Sequence, residues 1–192
     1  MGIPKIDTGP MTVDEFYAFT DARPDEEKWE LIDGEAVLNA SPAFIHQRIV
    51  GNILFALTSL ERAGDVSWTV IPGIGALISD TSRPEPDVMV LPKIDASVAS
   101  PVRHTRDASV LFEVVSPSTR SRDLKWKRAA YASLPLLTHY VVVSQDAVDA
   151  VVFVREAGFT EQRFTSLDDV IEFPALGVSL PLREIYYDID FA

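Results

Sequence analysis

The sequence contains no cysteine, no long apolar run and few basic residues. Without cysteine the chain cannot form a disulfide scaffold, a thiolate metal site or a cysteine nucleophile, and this composition fits a reducing compartment. No apolar run approaches the length that crosses a bilayer, and the N-terminal segment lacks the apolar core of a secretory signal. We therefore expect a soluble, cytoplasmic protein.

Positive charge is scarce, since 17 lysine and arginine residues stand against 29 acidic ones, for a formal net charge of -12. Binding to nucleic acid depends largely on the neutralisation of phosphates by lysine and arginine. The composition therefore argues against a protein that coats DNA, but it leaves room for a small local basic site.

Apolar residues make up 47% of the 192 residues, which is enough for a packed core. The length predicts one domain over residues 1–192, with a loose lead over residues 1–10. The order of the predicted elements, helix, several strands, helix and strands, indicates an α/β fold with a mixed sheet. Val110–Val115 and Tyr140–Val143 are so uniformly apolar that we expect central strands covered on both faces.

Local signals place the other elements. The pattern Thr12–Glu15 is a capping box that predicts a helix over about 12–22. Asp33-Gly34 between two apolar runs predicts a β-hairpin, because both turn positions require positive φ. Ser41-Pro42 predicts the N-cap and first residue of a helix whose apolar stripe continues up to Gly64. The remaining expected elements are strands at Val66–Ile71, Ala76–Ser79, Asp87–Leu91, Val148–Arg155 and Phe159–Phe164, and helices at about Ser121–Ser133 and Leu182–Tyr187.

Two carboxylates occupy positions that a plain core does not favour. Glu113 interrupts the apolar run Val110–Val115, where an unpaired charge is costly. Asp87 opens a strand directly after Arg83–Pro86, whose two prolines make the approach rigid. The structural alternatives are an ion pair between Glu113 and a neighbouring arginine and an ordinary turn at Asp87. Two carboxylates that converge within one sheet would suit a hard cation such as Mg²⁺.

Lys127 shares a helical stripe with Leu124 and Tyr131, at positions i, i+3 and i+7. Such a lysine either extends to solvent at the rim or points its ammonium at a site on the sheet edge. It belongs to a basic cluster that follows the strand of Glu113 and suits an anionic substrate, a phosphodiester above all. The cluster consists of Arg120, Arg122, Lys125, Lys127 and Arg128.

Several of these residues belong to an ordered set of motifs that covers most of the chain. The motifs are Trp29–Glu35, Ser41-Pro42, His46-Gln47, Pro86–Val88, Glu113–Thr119, and the spaced residues Asp123, Lys127 and Tyr131. Over about residues 12–185 this order resembles the Uma-two family, formerly a domain of unknown function, of the PD-(D/E)XK restriction-endonuclease-like superfamily.

The resemblance implies a restriction-endonuclease-like α-β-β-β-α-β core, with an N-terminal helix and hairpin and extra C-terminal strands. It assigns catalytic roles to Asp87, Glu113 and Lys127, with Asp87 and Glu113 as metal ligands. The superfamily usually places its lysine two residues after the second acid, on the same strand, and Val115 stands there in this chain. The family resemblance instead places the lysine on the following helix.

The acid that the superfamily often has on its first core helix is less clear in this chain. His46 occupies the most nearly equivalent position, and Glu30 and Glu35 of the hairpin are rivals. A plain packing or capping role for His46 is an equal alternative.

These assignments imply a metal-dependent endonuclease that uses Mg²⁺, with Mn²⁺ as a substitute, to hydrolyse phosphodiester bonds in DNA. Phosphate contacts are expected from Ser116, Ser118, Thr119 and Arg120. The alternatives are a nuclease-fold binding or regulatory module that does not cleave, which the charge of -12 favours, and a hydrolase of small phosphate esters. The edge strands expected after Tyr140 make a homodimer a further expectation.

Overall fold

The computed structural model of the chain describes residues 9–64, 66–93, 102–116 and 123–191. Its helices are α1 (Val13–Asp21), α2 (Phe44–Ala63), α3 (Arg128–Tyr131) and α4 (Leu182–Ile185), and a π-helical segment (Asp123–Lys127) leads directly into α3. The strands before the central pair are β1 (Trp29–Ile32), β2 (Glu35–Leu38), β3 (Trp68–Pro72), β4 (Gly75–Ala76), β5 (Val88–Pro92) and β6 (His104–Thr105). The later strands are β7 (Val110–Val115), β8 (His139–Ser144), β9 (Ala150–Val154), β10 (Glu161–Phe164), β11 (Val170–Phe173) and β12 (Val178–Pro181).

The main sheet is mixed and has the strand order β10-β9-β8-β7-β5-β3 in the part of the chain that is described. β7 and β8 pair in parallel, whereas the other neighbours are antiparallel. Every residue of β7 and of β8 is buried, which confirms the prediction of two central strands covered on both faces. A parallel pair needs a crossover connection, and the π-helical segment with α3 lies in it.

The two faces of this sheet pack against different elements, because successive strand residues point to opposite sides. On one face, Phe112 and Val114 pack with Ile53 of α2 and Phe173 of the β11–β12 hairpin. On the other face, Leu111 and Val115 pack with Tyr131 and Leu134. By the same alternation, Glu113 belongs to the face of Leu111 and Val115, on the side of α3.

The predicted capping box, hairpin turn and apolar stripe of α2 are confirmed, whereas most of the predicted loose lead, residues 1–8, lies outside the described residues. The side chain of Thr12 accepts a hydrogen bond from the backbone of Glu15, whose carboxylate accepts one from the Thr12 backbone, so the capping box is complete. Asp33 and Gly34 both have positive φ, 50° and 82°, at the turn between β1 and β2. The predicted stripe of α2 also holds, since Ile49, Ile53 and Leu57 are fully buried.

Three predicted boundaries are wrong. α2 begins at Phe44 with Ala43 as its N-cap, not at Ser41-Pro42, because Ala43 is extended and its carbonyl accepts the first helical hydrogen bond. The strand expected at Ala76–Ser79 ends at Ala76, because the chain turns back between Ser79 and Ser82.

The helix expected over Ser121–Ser133 ends at Tyr131, and its first described turn is π-helical rather than α-helical. Residues 121 and 122 lie outside the described residues. Over the described ranges, none of the helices combines the length and apolar character that crossing a membrane requires.

Candidate active site

A buried lysine and a buried glutamate face each other beneath the central strand β7. The ammonium Nζ of Lys127 lies 2.7 Å from Oε1 of Glu113, and the phenol of Tyr131 donates a hydrogen bond of 2.8 Å to the same oxygen. Lys127 is 3% exposed and Glu113 is 5% exposed. The lysine therefore does not extend to the rim, and among the described residues Glu113 forms its ion pair with a lysine, where an arginine was the alternative expected from the sequence.

The π-helical segment explains how this lysine reaches the strand. A π-turn has wider spacing than an α-helix and is often found at functional sites. Lys127 ends the π-helical segment, and Tyr131 ends α3 one turn later, so both side chains can reach one carboxylate oxygen. The helical stripe predicted from the sequence already placed Lys127 and Tyr131 on one face. The spacing of that stripe did not indicate a π-turn.

Glu30 of β1 completes the cluster from the N-terminal hairpin. Its Oε1 lies 2.9 Å from Nζ of Lys127 and accepts a 2.8 Å hydrogen bond from the backbone N–H of Glu85. Glu30 is fully buried, with no exposed surface. One ammonium is therefore shared by two carboxylates that come from different parts of the chain.

Burial and charge act in opposite directions on these groups. Burial raises the pKa of Glu30, but the Lys127 ammonium and the N–H of Glu85 outweigh it, so the net pKa is lowered and the carboxylate stays ionised. A hydrogen bond from the side chain of Asn39 acts in the same direction. Burial, followed by the charges of Glu113 and Glu30, raises the pKa of Tyr131 well above its ordinary value, so its phenol is a hydrogen-bond donor at neutral pH.

Asp87 lies at the end of the neighbouring strand. Val88 pairs with Phe112, so Asp87 and Glu113 are the next residues along the two strands. Oδ2 of Asp87 accepts a 2.8 Å hydrogen bond from the backbone N–H of Val114, directly after Glu113. The structure thus places the two predicted carboxylates at neighbouring positions of adjacent strands, linked through the backbone of β7.

His46 lies on the other side of Asp87, in the first turn of α2. Its Nε2 is 3.3 Å from Oδ2 of Asp87, and both side chains are less than one-fifth exposed. Nδ1 of His46 is buried and has no hydrogen-bond partner among the described residues. A capping or packing role does not require this contact, which orients the Asp87 carboxylate from the helix side.

The remaining predicted site residues are not part of the buried cluster in the described structure. Glu35 is exposed and pairs with Ile32 next to the hairpin turn, so Glu30 is the hairpin acid that joins the cluster. Ser116 directly follows β7 and is partly buried. Ser118, Thr119 and Arg120 lie outside the described residues, as does Arg122.

Two members of the predicted basic cluster are separate from the buried lysine. Lys125 and Arg128 are exposed, and the guanidinium of Arg128 lies 5.3 Å from the ring centre of Phe153. In the described part of the cluster, Lys127 alone is buried, as its place on the apolar stripe suggested.

Residues that could ligate a metal ion are few in this region. The described chain contains no group of three or more histidine and acidic side chains placed to hold an ion. Asp87 and Glu113 supply carboxylate oxygens at neighbouring positions of adjacent strands, and protein donors contact Oδ2 of Asp87 and Oε1 of Glu113. Such a pair matches the small number of protein ligands that Mg²⁺ takes, because water and substrate phosphate usually complete its shell.

Comparison with known proteins points to one family. The sequence profile of the Uma2 (Uma-two) family, described as "Putative restriction endonuclease", matches residues 13–183. Among solved structures, one similar chain is described as a "putative nuclease belonging to DUF820" from Anabaena variabilis. That structure has a TM-score of 0.74 and 15% sequence identity, and the alignment covers 92% of this chain and 97% of the other. A search of curated proteins found no match.

Proposed function

Because the chain belongs to the Uma2 family, we propose that it is a metal-dependent endonuclease that hydrolyses phosphodiester bonds in DNA. The observation that carries this proposal is the buried pairing of Lys127 with Glu113, one strand away from Asp87. A lysine and two carboxylates are residue types that suit metal-assisted phosphodiester hydrolysis, because carboxylates can hold the ion and an ammonium can stabilise negative charge. The mixed sheet and its flanking helices agree with the nuclease fold of the similar solved structure.

In this mechanism Asp87 and Glu113 would hold Mg²⁺, for which Mn²⁺ could substitute. The chemistry such an ion would supply there is a lowered pKa of bound water and compensation of the charge on the phosphate. The N–H of Val114 and Nε2 of His46 both contact Oδ2 of Asp87 and thereby fix the direction of its carboxylate. Tyr131 and Lys127 fix Glu113 in the same way from the α3 side.

Lys127 also supplies the positive charge of the site. Its ammonium is held within a buried cluster, where a charge acts more strongly than in water. We assign it the stabilisation of negative charge that develops on the attacked phosphate and the orientation of the nearby water. Ser116 and the following residues Ser118, Thr119 and Arg120 are the proposed phosphate contacts at the mouth of the site.

The experiment is cleavage of supercoiled plasmid and single-stranded DNA with Mg²⁺, with Mn²⁺ and with EDTA. The wild-type protein is compared with Asp87→Asn, Glu113→Gln and Lys127→Met, and the exposed Asp190→Asn serves as a matched control. We expect metal-dependent nicking that Asp87→Asn and Glu113→Gln abolish, that Lys127→Met reduces to a slow residual rate, and that the control retains. Circular dichroism checks that each variant is folded.

Cleavage that survives Asp87→Asn in a folded protein would contradict the assigned site. Binding of Mn²⁺, followed by calorimetry, tests the ligands separately, and we expect it to weaken in Asp87→Asn and Glu113→Gln. Tight Mn²⁺ binding without cleavage of DNA would instead direct the search to RNA or small phosphate esters.

A nuclease-fold module that binds without cleaving is the second candidate. The formal net charge of -12 favours it, because an acidic surface repels a nucleic-acid substrate. Absence of both metal binding and cleavage in the wild-type protein would support this candidate. Homodimerisation, which would suit double-strand cleavage, stays a prediction that sedimentation of the full chain can test.

A further inference from the structure

Glu30 is the buried acid of the cluster that the mechanism above does not use. It lies on β1, in the hairpin that precedes the nuclease core, and has no exposed surface. A buried carboxylate is costly unless it is paired and hydrogen-bonded, so its placement requires specific partners. The described partners of its Oε1 include Nζ of Lys127 at 2.9 Å and the backbone N–H of Glu85 at 2.8 Å.

Lys127 is a residue that needs such a partner. Its ammonium is a compact charge at the end of four rotatable bonds, and it comes from a helical segment rather than from the rigid strand β7. Glu113 approaches Nζ at 2.7 Å and Glu30 at 2.9 Å, so two carboxylates together define one position for the ammonium.

The β1–β2 hairpin is held next to the site by hydrogen bonds to the segment around Arg83. Leu31, next to Glu30, exchanges two backbone hydrogen bonds with Arg83, of 2.7 Å and 3.3 Å. The Arg83 guanidinium in turn donates to Glu85 at 3.0 Å, and its side chain passes so close to Gly75 that an added Cβ there would overlap it. The same short segment that holds the hairpin therefore also supplies the N–H that fixes the Glu30 carboxylate.

We propose that Glu30 is a positioning residue that holds the Lys127 ammonium against Glu113, which makes the N-terminal hairpin a working part of the nuclease site. The inference rests on the proposed endonuclease function. It assigns Glu30 to the lysine, whereas the sequence alone left Glu30 as one of three candidates, with His46 and Glu35, for the position of an auxiliary site residue. A lysine that comes from a helix thereby acquires, through a second carboxylate, the fixed position that a strand would otherwise provide.

The first test is Glu30→Gln, which keeps the shape of the side chain and removes its charge. We expect kcat for metal-dependent cleavage to fall about 10- to 100-fold, the effect typical of removing a supporting partner behind a functional side chain. KM and the affinity for Mn²⁺ should stay close to the wild-type values, since Glu30 contacts neither proposed metal ligand in the described hydrogen bonds and ion pairs. The exposed Glu26→Gln, on the approach to the same strand, is the matched control.

A double-mutant cycle separates positioning from a general structural effect. Glu30→Gln is combined with Lys127→Met, and the loss in kcat is compared in the two backgrounds. If Glu30 acts through the lysine, its substitution has no further effect once Lys127 is gone. An equal loss in both backgrounds would overturn the proposal.

The second readout needs no activity. The ammonium of Lys127 can be followed by ¹⁵N NMR with labelled lysine, and its signal is assigned by its absence in Lys127→Met. In the wild-type protein we expect a protected signal that exchanges slowly with water, because Lys127 is 3% exposed. We expect Glu30→Gln to speed its exchange or broaden it and Glu26→Gln to leave it unchanged.

The two readouts also keep the two proposals distinguishable. No cleavage by the wild-type protein would contradict the endonuclease, while the NMR signal would still decide whether Glu30 holds the lysine. An unchanged ammonium signal in Glu30→Gln, or a changed signal with undiminished kcat, would overturn the inference. If Glu30→Gln does not fold, Glu30→Asp keeps the charge but shortens the side chain, and the same loss of kcat and of signal protection is expected.

Discussion

The Asp149–Arg163 ion pair and the cluster around Lys127 differ in how much of each charged partner water can reach. Asp149, directly before β9, binds Arg163 of β10 through both carboxylate oxygens, at 2.7 Å and 2.9 Å. The Asp149 side chain is 7% exposed, but that of Arg163 is 55% exposed. In the cluster around Lys127, all three charged side chains are less than one-tenth exposed.

Charge balance also separates the two regions. The Asp149–Arg163 pair is neutral and has the two-pronged geometry that suits arginine and carboxylate. Among the described residues, the buried cluster places one ammonium between two carboxylates and keeps these charges away from water. Apolar residues of similar size often stabilise a fold as well as a buried ion pair does. The cluster is therefore better explained by the chemistry of the site than by the needs of folding.

The largest expected effect comes from removing the shared cation. Lys127→Met leaves Glu30 and Glu113 buried without their common partner, and we expect the free energy of unfolding to fall by about 3–5 kcal/mol. Denaturant unfolding of the wild-type and variant proteins measures this. A loss below about 1 kcal/mol would indicate that water or another cation replaces the ammonium, against the burial described above.

A compensated variant sharpens the same point. Glu30→Gln and Glu113→Gln added to Lys127→Met remove all three charges and keep the volumes. We expect this triple variant to recover most of the stability lost in Lys127→Met, because neutral side chains leave no unpaired charge buried. We expect it to recover none of the cleavage activity. Stability that stays low would show that the charges themselves support the fold.

A smaller effect is expected at Tyr131. Tyr131→Phe removes the hydrogen bond to Glu113, and we expect the free energy of unfolding to fall by about 1.5–3 kcal/mol, the range for a hydrogen bond to a charged group.

The pH dependence of stability tests the state of this phenol. Burial and the nearby carboxylates raise its pKa in the folded protein, whereas the unfolded chain keeps the ordinary value near about 10. As pH rises, the unfolded state therefore loses the phenol proton before the folded state does. The stability that the protonated phenol contributes is fully present below the pKa of the unfolded chain and declines as pH rises above it. Tyr131→Phe should be less sensitive to alkaline pH than the wild type; equal slopes would mean that the phenol is not protected.

The smallest effect is expected at the Asp149–Arg163 pair, in which the arginine side chain is exposed. Arg163→Ala removes a guanidinium that is largely in water, and solvent can replace part of its bonding to Asp149. We expect a loss of stability clearly below that of Lys127→Met, with DNA cleavage unchanged. Losses of equal size in the two variants would contradict the distinction between the pairs.

Sequence patterns predicted much of this fold because the signals were local. The capping box at Thr12, the Asp33-Gly34 turn and the apolar stripe of α2 depend on neighbours within a few residues. Glu113 stood out as a charge in an apolar strand, and Lys127 as a charge on an apolar stripe. The structure joins these two residues in one ion pair.

Two features of the site could not be predicted from the sequence, namely the choice between Glu30 and Glu35 and the π-turn, because both depend on contacts between distant residues. Glu30 and Lys127 are 97 positions apart, so no local spacing could select Glu30 over Glu35 as the hairpin acid of the site. The π-turn before α3 likewise has no characteristic sequence pattern. It becomes apparent from the structure, in which Lys127 and Tyr131 both contact Glu113. The start of α2 differed because Ser41-Pro42 is a common helix opening, yet Ala43 stays extended.

The sequence by itself determined the central strands, the hairpin turn and the residue types of the site, because apolar periodicity and turn chemistry act over short distances. The tertiary structure decided which charges share a partner, since that depends on how the hairpin, β7 and the helical crossover pack together. A buried charge must find its counter-charge wherever packing brings one, and in this protein packing brings Glu30 and Glu113 to the same lysine.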